Sequence, residues 1–493
     1  MARCPPDEED QKSKMSSVFQ LTSKFSLLLF LLAVLASMLS SLPSARAADP
    51  APDWKAINRE ALPYFQTYIR FDTTNPPDNT AQAIAFIRSI LDKEGIQTAT
   101  FESKPGAVSL VARLPGPADK KPFLLLSHAD VVPAVAADWS HPPFSGELVD
   151  GYVWGRGAID NKAHGIMALM TMLTLHRNHV PLRRGVVMMI NPDEEADGAN
   201  GAEWMSANHW DAFAPAFAVN EGGVATPDPF GGHQDAFQVT VAEKRVMWLH
   251  LTAHGRSGHG SVPTPDNPTL ILINALVRLL ANQPEVRLTA IMSEALPVYA
   301  AHESFPTSFE LGHLDWPFVL GYAMEDPLKP DFLQALMRDT ISPTMLSGSL
   351  KVNVIPSTAE ADLDCRLLPG TNVDAFLNRM KGLLADKRIT IDFIQKPDSG
   401  PISPTSGEAW DAIKKVVSQD FPSTFVVPWM STGGTDSRLM RDRGVPAYGF
   451  VPIVLNVGEL RRVHGVDERL SVENLDRGIK ATYDLTTMLC AQP

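Results

Sequence analysis

The chain has 493 residues, of which 44% are hydrophobic and 20% charged, and its formal net charge is -13. This length predicts two domains with sizeable cores. The acidic balance argues against nucleic acid as a partner, because nucleic-acid binding normally leaves a basic patch. The three cysteines (Cys4, Cys365 and Cys490) are too few for a framework of disulfides.

Residues 1–47 have the pattern of a signal peptide. Lys24 precedes an apolar run over residues 25–39, and Ala45-Arg46-Ala47 offers small residues at a cleavage site. The run is shorter than the ~20 residues that a membrane span needs. We therefore predict export, as a periplasmic or secreted protein, with no stable membrane span after leader removal. Met15 is an alternative start because the stretch before it is polar.

Helical and strand-like patterns alternate over residues 48–245, which we predict to be the first part of a larger domain. Helical patterns cover residues 54–70, 80–94, 164–177 and 201–210. Strand-like patterns cover residues 107–113, 123–127, 185–190 and 216–220. Such alternation predicts an α/β fold with a mostly parallel sheet and helices on both faces.

The pattern changes near Lys244. Strand patterns at 247–252, 347–354, 358–367 and 389–394 accompany helix patterns at 268–281 and 373–386. This order predicts a smaller α+β sandwich inserted over residues 246–397, after which the larger domain resumes over 398–493. Residues 296–345 contain aromatic and proline clusters that we assign to no element.

Acidic or histidine residues follow three predicted strands. His128 follows the run 123–126, Glu194-Glu195 follows the run 186–190, and Glu221 follows the run 217–219. In an open α/β sheet, ligands and catalysts collect at the carboxyl ends of the strands. Imidazole and carboxylate are ligands that a divalent metal prefers. The pattern therefore predicts a metalloenzyme.

Two further carboxylates have both a structural and a functional interpretation. Asp130 lies two residues after His128, where it could accept the second ring N–H of a metal-bound imidazole, although a His-x-Asp is often incidental. Asp160 precedes a predicted helix and could be its N-cap, or its two oxygens could bridge two cations. Asp193-Glu194-Glu195 is either a solvated loop or an acidic cluster that a metal neutralises. A lone histidine such as His464 is more often a satisfied structural group.

Together, these segments resemble a known family. The motifs are His128-x-Asp130, Gly155-Arg156-Gly157-x-x-Asp160, Asp193-Glu194-Glu195, Gly258-His259-x-Ser261-x-Pro263 and His464 in His-x-x-Asp-Glu. They are similar to those of the zinc-dependent family of carboxypeptidase G, acetylornithine deacetylase, succinyl-diaminopimelate desuccinylase and aminoacylase. The elaborated insertion resembles the branch of carboxypeptidase S and secreted N-acyl-amino-acid hydrolases.

The resemblance implies a centre of two zinc ions (Zn2+) per subunit, bridged by Asp160. It assigns one zinc to His128 and Glu221, and the other to Glu195 and His464. Glu194 would be the general base. Asp130 would orient His128.

The resemblance also implies roles in substrate binding and assembly. His259 would reach across a homodimer to the oxyanion, which makes the inserted domain a lid and dimerisation domain. Arg366 and Asn353 would hold the substrate's carboxylate and backbone. Gly433 and Gly434 belong to a loop that would line the substrate site.

The function predicted is that of an exported metallohydrolase that cleaves an amide or peptide bond next to a free carboxylate, with metal-activated water as nucleophile. Its substrate would be a small peptide or an N-acyl amino acid, which makes it a carboxypeptidase or a deacylase. An aminopeptidase on the same core is an alternative, but it needs an acidic anchor, whereas Arg366 favours a carboxylate. A catalytically silent binding module is the other alternative, and it would be expected to have lost Glu194 or a ligand.

Overall fold

The computed structural model describes Met1 and residues 51–77, 79–196, 198–325, 331–398 and 400–492. The predicted signal peptide lies outside these residues except for Met1. None of the helices in this part of the chain is long and apolar enough to cross a membrane. The elements below belong to one unit that begins at Pro52.

The helices that the structure describes are α1 Trp54–Arg70, α2 Ala81–Lys93, α3 Lys162–Arg177, α4 Ala202–Asn208, α5 Pro268–Ala281, α6 Ala290–Ala300, α7 Thr307–Gly312, α8 Pro317–Glu325, α9 Asp331–Met337, α10 Val373–Leu384, α11 Glu408–Asp420, α12 Ser437–Asp442, α13 Val457–Leu460 and α14 Val472–Cys490. The strands are β1 Gln97–Lys104, β2 Ala107–Leu114, β3 Phe123–His128, β4 Glu147–Val149, β5 Tyr152–Trp154, β6 Val186–Asn191, β7 Phe217–Asn220, β8 Ala225–Pro227, β9 Asp235–Glu243, β10 Arg245–His254, β11 Gly258–His259, β12 Thr340–Ser347, β13 Val354–Ile355, β14 Thr358–Leu367, β15 Ile389–Gln395, β16 Thr424–Ser431, β17 Ala447–Gly449 and β18 Arg469–Ser471.

A large sheet has the strand order β1-β2-β6-β3-β7-β17-β9-β16, with β8 beside β9. Its centre is parallel, because β3 pairs in parallel with both β6 and β7, and β17 pairs in parallel with β7. The strands β1 and β2 are antiparallel additions at one edge. The predicted α/β fold with a mostly parallel sheet is confirmed.

Helices cover both faces of this sheet because its central strands are apolar on both sides. Leu125 of β3 joins the core that contains α3 and α14. Leu124 and Leu126, which point to the opposite face, join a second core with α4 and α12. Almost every residue of α3 is buried, so this helix lies deep under the sheet's central strands.

A smaller antiparallel sheet has the order β12-β14-β10-β15. Alternate residues of β10 are buried against α5 and α10, while the residues between them are only partly buried. This α+β layer interrupts the larger sheet in sequence, in agreement with the predicted insertion. The proposed boundaries at 246 and 397 remain a prediction.

One predicted strand was wrong. Residues 348–353 form a loop instead of a strand, and the strand β12 lies earlier, at Thr340–Ser347. Leu350 and Val352 alternate as they would in a half-buried strand, but both side chains are exposed in the loop. An apolar alternation does not by itself show that one of its faces is buried. The unassigned segment 296–345 contains the end of α6, the helices α7 to α9 and most of β12.

Candidate metal centre

Three neighbouring parallel strands bring the predicted ligands to one edge of the large sheet. The strand β3 ends at His128, β6 ends at Asn191 just before the turn of Glu194, and β7 ends at Asn220 just before Glu221. His128 pairs in register with Asn191, so the ends of β3 and β6 lie level with each other. The carboxyl ends of parallel strands therefore converge here, as expected for an α/β ligand site.

Asp160 lies between the two histidines. Its Oδ1 is 3.1 Å from His128 Nε2, and its Oδ2 is 3.2 Å from His464 Nε2. On the first side, Glu221 Oε2 lies 3.0 Å from His128 Nε2. On the second side, Glu195 Oε2 lies 3.0 Å from His464 Nε2. The five side chains thus form two groups that share one carboxylate.

The donor set fits divalent metal ions. Single ligand atoms of His128, Glu194 and Glu221, and likewise of His128, Asp160 and Glu195, lie within 4.8 Å of one another. Burial, followed by the charge of Glu221, raises the pKa of Glu194 well above its usual range. Burial and the charge of Asp160 raise the pKa of Glu195 to about 7. Carboxylates packed this closely repel one another, and a cation would offset that repulsion.

Asp130 contacts both His128 and the backbone of Glu194 and Glu195. His128 Nδ1 lies 3.0 Å from the Asp130 backbone oxygen and 3.5 Å from its Oδ1, so the ring can donate from Nδ1, which would leave the Nε2 lone pair for a metal ion. The Asp130 carboxylate also accepts hydrogen bonds from the backbone N–H groups of Glu194 and Glu195, at 3.2 and 3.1 Å. The ring thus lies nearest to the backbone oxygen of Asp130, while the Asp130 carboxylate fixes the backbone of the next two site residues.

Two residues that contact the site, Asn75 and Asn161, were missed by the sequence analysis. Asn75 donates to both Asp130 and Asp193, at 3.0 and 2.9 Å, and so joins two loops under the centre. Asn161 Nδ2 donates to Glu221 Oε2 at 2.9 Å. The only sequence signal at Asn75 was the loop-forming Asn-Pro-Pro, and Asn161 was identifiable only by its position after Asp160.

Two cavities flank the carboxylate cluster. The apolar cavity, of about 290 Å³, is lined beside the cluster by the aliphatic residues Ile159, Val224, Val451, Ile453, Leu455, Leu460 and Val463. The polar cavity, of about 310 Å³, is lined by residues that include Val246, Trp248, Arg366, Gln395, Gly433, Asp436 and Arg438. Residues lining both are Glu194, Glu195, Gly434, Thr435 and His464. The centre therefore has an aliphatic side and a polar side that carries two arginines.

The predicted substrate residues divide into two sets. Arg366, Gly433 and Gly434 line the polar cavity. His259 and Asn353 line neither cavity and are exposed on the ribbon formed by β11 and β13, where Gly260 N donates to the Asn353 backbone oxygen at 2.8 Å. The single chain therefore does not bring His259 and Asn353 to the carboxylate cluster.

Comparison with known proteins places the chain in a family. The model of "Peptidase family M20/M25/M40" matches residues 124–487. The human protein named N-fatty-acyl-amino acid synthase/hydrolase PM20D1 is 31% identical over 374 residues, which are 74% of this chain and 73% of that protein. Probable carboxypeptidase S-like 2 of Dictyostelium discoideum is 30% identical over 374 residues, which are 74% of this chain and 71% of that protein.

A solved structure shares the fold. The M20 family metallo-carboxypeptidase Sso-CP2 of Sulfolobus solfataricus has a TM-score of 0.67 at 16% identity, covering 87% of this chain and 99% of that chain. The resemblance drawn from the motifs, including its branch, is thereby confirmed. The chain belongs to peptidase family M20/M25/M40 and is an enzyme that hydrolyses amide bonds.

Proposed function

We propose that this protein is an exported two-zinc hydrolase that cleaves N-acyl amino acids at the amide next to a free carboxylate. The observation that carries the proposal is the position of Asp160, whose two oxygens face His128 and His464 separately. A carboxylate shared in this way suits a bridging ligand. Glu221 would complete the first site and Glu195 the second.

The centre's own residues supply the proton transfer. His128, Asp160, Glu195, Glu221 and His464 would hold the zinc, which when bound would favour the ionisation of a water and polarise the scissile carbonyl. With the ligands assigned in this way, Glu194 is the remaining carboxylate of the cluster, and it lines both cavities. Its raised pKa suits a group that takes a proton from water and gives it to the leaving amine. Asp130 holds the backbone of Glu194 and so fixes this base.

The polar cavity would bind the amino-acid half of the substrate. The Arg366 fork is held by Asp364, with Nε and Nη2 at 2.7 and 3.1 Å from its two oxygens. Because this contact fixes the plane of the guanidinium, its remaining N–H groups are oriented for a substrate carboxylate. Gly433 and Gly434 leave the loop wall free of side chains beside that position.

The apolar cavity would bind the acyl half. Seven aliphatic side chains surround it, and no lysine or arginine is among its described lining residues. Each methylene group transferred from water to such surroundings stabilises binding by about 0.8 kcal/mol. An extended aliphatic acyl chain therefore fits better than a charged amino-acid residue. This agrees with the fatty-acyl group in the name of the human relative.

We further propose a homodimer formed through the inserted domain, residues 246–397. Leu270, Ile273 and Val277 form an exposed apolar stripe along α5. Such a stripe on a surface helix favours contact with a second copy. In that assembly His259, which lies away from its own subunit's cluster, would donate to the oxyanion at the partner's site.

The test uses the purified mature protein. Zinc content is measured, and hydrolysis is followed for N-dodecanoyl and N-acetyl amino acids, for dipeptides and for the dodecanoyl substrate with an amidated carboxylate. We expect two zinc ions per chain and a kcat/KM that is highest for the dodecanoyl acid. Cleavage confined to substrates with a free α-amine would instead identify an aminopeptidase, and equal rates with and without the carboxylate would contradict the proposal.

A further inference from the structure

We infer that the buried pair of Arg156 and Glu468 is a positioning device for the metal centre, which fixes the loop of Asp160 relative to the loop of His464. The inference rests on the proposed metal centre, but it concerns residues that touch neither metal nor substrate. The two ligands come from segments far apart in the chain. Asp160 can lie between the two histidines only if the positions of these two segments are fixed relative to each other.

The Glu468 carboxylate organises the backbone that leads to Asp160. Its Oε1 accepts hydrogen bonds from the N–H groups of Ile159 and Asp160, at 2.7 and 3.1 Å. Its Oε2 accepts from the N–H of Gly157 at 3.0 Å. Three backbone donors of one short loop therefore converge on a single side chain, which defines the position of the Asp160 backbone.

Arg156 connects this arrangement with the loop of His464. Its Nη1 donates to Glu468 Oε2 at 2.8 Å, and its Nη2 donates to the backbone oxygen of Gly465 at 2.7 Å. Gly465 directly follows His464, whose backbone has a positive φ of 57°. Arg156 thus contacts the peptide group next to His464, while Glu468 contacts the backbone N–H of Asp160.

The pair is fully inside the protein. Arg156 and Glu468 are 2% and 0% exposed. Buried ion pairs are not in general a gain in stability over apolar residues, because desolvation of both charges is costly. A pair whose hydrogen bonds converge on the loops of two metal ligands is better explained by positioning, since outer contacts that orient ligands commonly change metal affinity by about 10- to 100-fold.

The experiment compares Glu468→Gln with the natural protein. Zinc affinity is measured by competition with a chromogenic chelator, and Tm is measured for the metal-free and the zinc-loaded protein. A glutamine cannot present two acceptors, so one pair of donors loses its partner. We expect zinc to bind at least about 10-fold more weakly and the zinc-induced rise in Tm to shrink accordingly, because that rise reports the metal affinity of the folded state.

Glu459→Gln is the matched control. Glu459 is also buried, and among the residues that the structure describes its carboxylate pairs with Arg469, at 3.3 Å, instead of with the loop of Asp160. We expect this variant to lower Tm equally with and without zinc and to keep the natural zinc affinity.

Arg156→Lys keeps the inference testable if Glu468→Gln does not fold. Lysine can keep the charge beside Glu468 but has no fork to reach Gly465 as well, so we expect an intermediate loss of zinc affinity. Natural zinc affinity in Glu468→Gln, or in Arg156→Lys where the first variant is unfolded, would overturn the inference. Failure of the natural protein to bind zinc would instead overturn the proposed function.

Discussion

The two cavities beside the carboxylate cluster differ in chemistry although they share part of their walls. The apolar cavity is surrounded by side chains such as Val451, Leu455 and Leu460. The polar cavity contains Arg366, Arg438 and Gln395. Burial of aliphatic surface is non-directional and grows with area, whereas an arginine fork recognises a planar anion by geometry.

In the proposal, each cavity therefore recognises a different half of the substrate by a different physical effect. The polar side would fix position, since a carboxylate on Arg366 sets the distance to the cluster. The apolar side would add affinity in proportion to chain length. The bond to be cleaved would then lie where the two cavities meet, at Glu194 and Glu195.

The largest effect is expected at this shared wall. Glu194→Gln keeps the size of the side chain but removes the base, so kcat should fall by about 10³-fold for every substrate, irrespective of its acyl chain. Zinc content should stay unchanged, because Glu194 has no ligand role in the proposal. The measurements are steady-state kcat for each substrate and the zinc content of the purified variant. Glu473→Gln, at a side chain that is 78% exposed, is the control. A near-normal kcat would show that the base is another residue.

On the polar side, Arg366→Met should lower kcat/KM by about 100-fold for substrates with a free carboxylate, since hydrogen bonds to charged groups contribute about 1.5–3 kcal/mol. The variant should act on the amidated analogue as the natural enzyme does. Steady-state kinetics on this pair of substrates gives the answer. An equal loss on both substrates would mean that Arg366 supports the cavity wall instead of the carboxylate.

On the apolar side, Leu460→Trp should shorten the cavity. We expect about a 10-fold lower kcat/KM for the dodecanoyl substrate, equivalent to the loss of roughly two buried methylene groups, and little change for the acetyl substrate. Val457→Trp is the matched control, because Val457 lies on the same helix α13, is 50% exposed and does not line the cavity. A uniform loss across chain lengths would place the acyl group elsewhere.

Much of the centre was predictable because it follows regular elements. The apolar runs of β3, β6 and β7 locate His128, Glu194 and Glu221 at strand ends, and parallel pairing brings such ends together. The alternation of polar and apolar residues over 358–367 likewise predicted both ends of β14. His464 was different: no periodic pattern leads to it, and it was found only through the resemblance.

The remaining parts depend on loops, whose paths no hydrophobic period encodes. Glu468 and Asn75 act through hydrogen bonds between segments far apart in the chain. The apolar cavity takes Val451, Ile453 and Leu455 from an irregular stretch before α13. Their aliphatic character was visible in the sequence, but their common direction towards the cluster arises only from tertiary packing.

The smallest expected effect is on the pH dependence of stability in the metal-free protein, and it arises from Glu195 and His464, which line both cavities. Glu195 has a pKa raised to about 7, mainly by burial, so its contribution favours the folded state at low pH and is lost as pH rises from 4.5 towards 7. Hydrogen bonds to Asp160 and then Glu195 raise the pKa of His464 to about 10, so its stabilisation is present below 6.5 and is lost as pH rises towards 10.

Both contributions decline as pH rises, but burial lowers the pKa of Lys162 to about 7 and that of Lys244 to about 8, and the cost of these charges is relieved as pH rises towards 10.5. The rise in Tm on adding zinc removes this common background, and it should grow between about pH 6 and pH 9 because zinc binding replaces the protons on Glu195 and His464. We expect a difference of a few degrees, because about 1 kcal/mol shifts the Tm of a large domain by only about 2–4 °C. Differential scanning calorimetry with and without zinc measures it. A zinc effect independent of pH would mean that the carboxylates between the two cavities are not the groups that the metal neutralises.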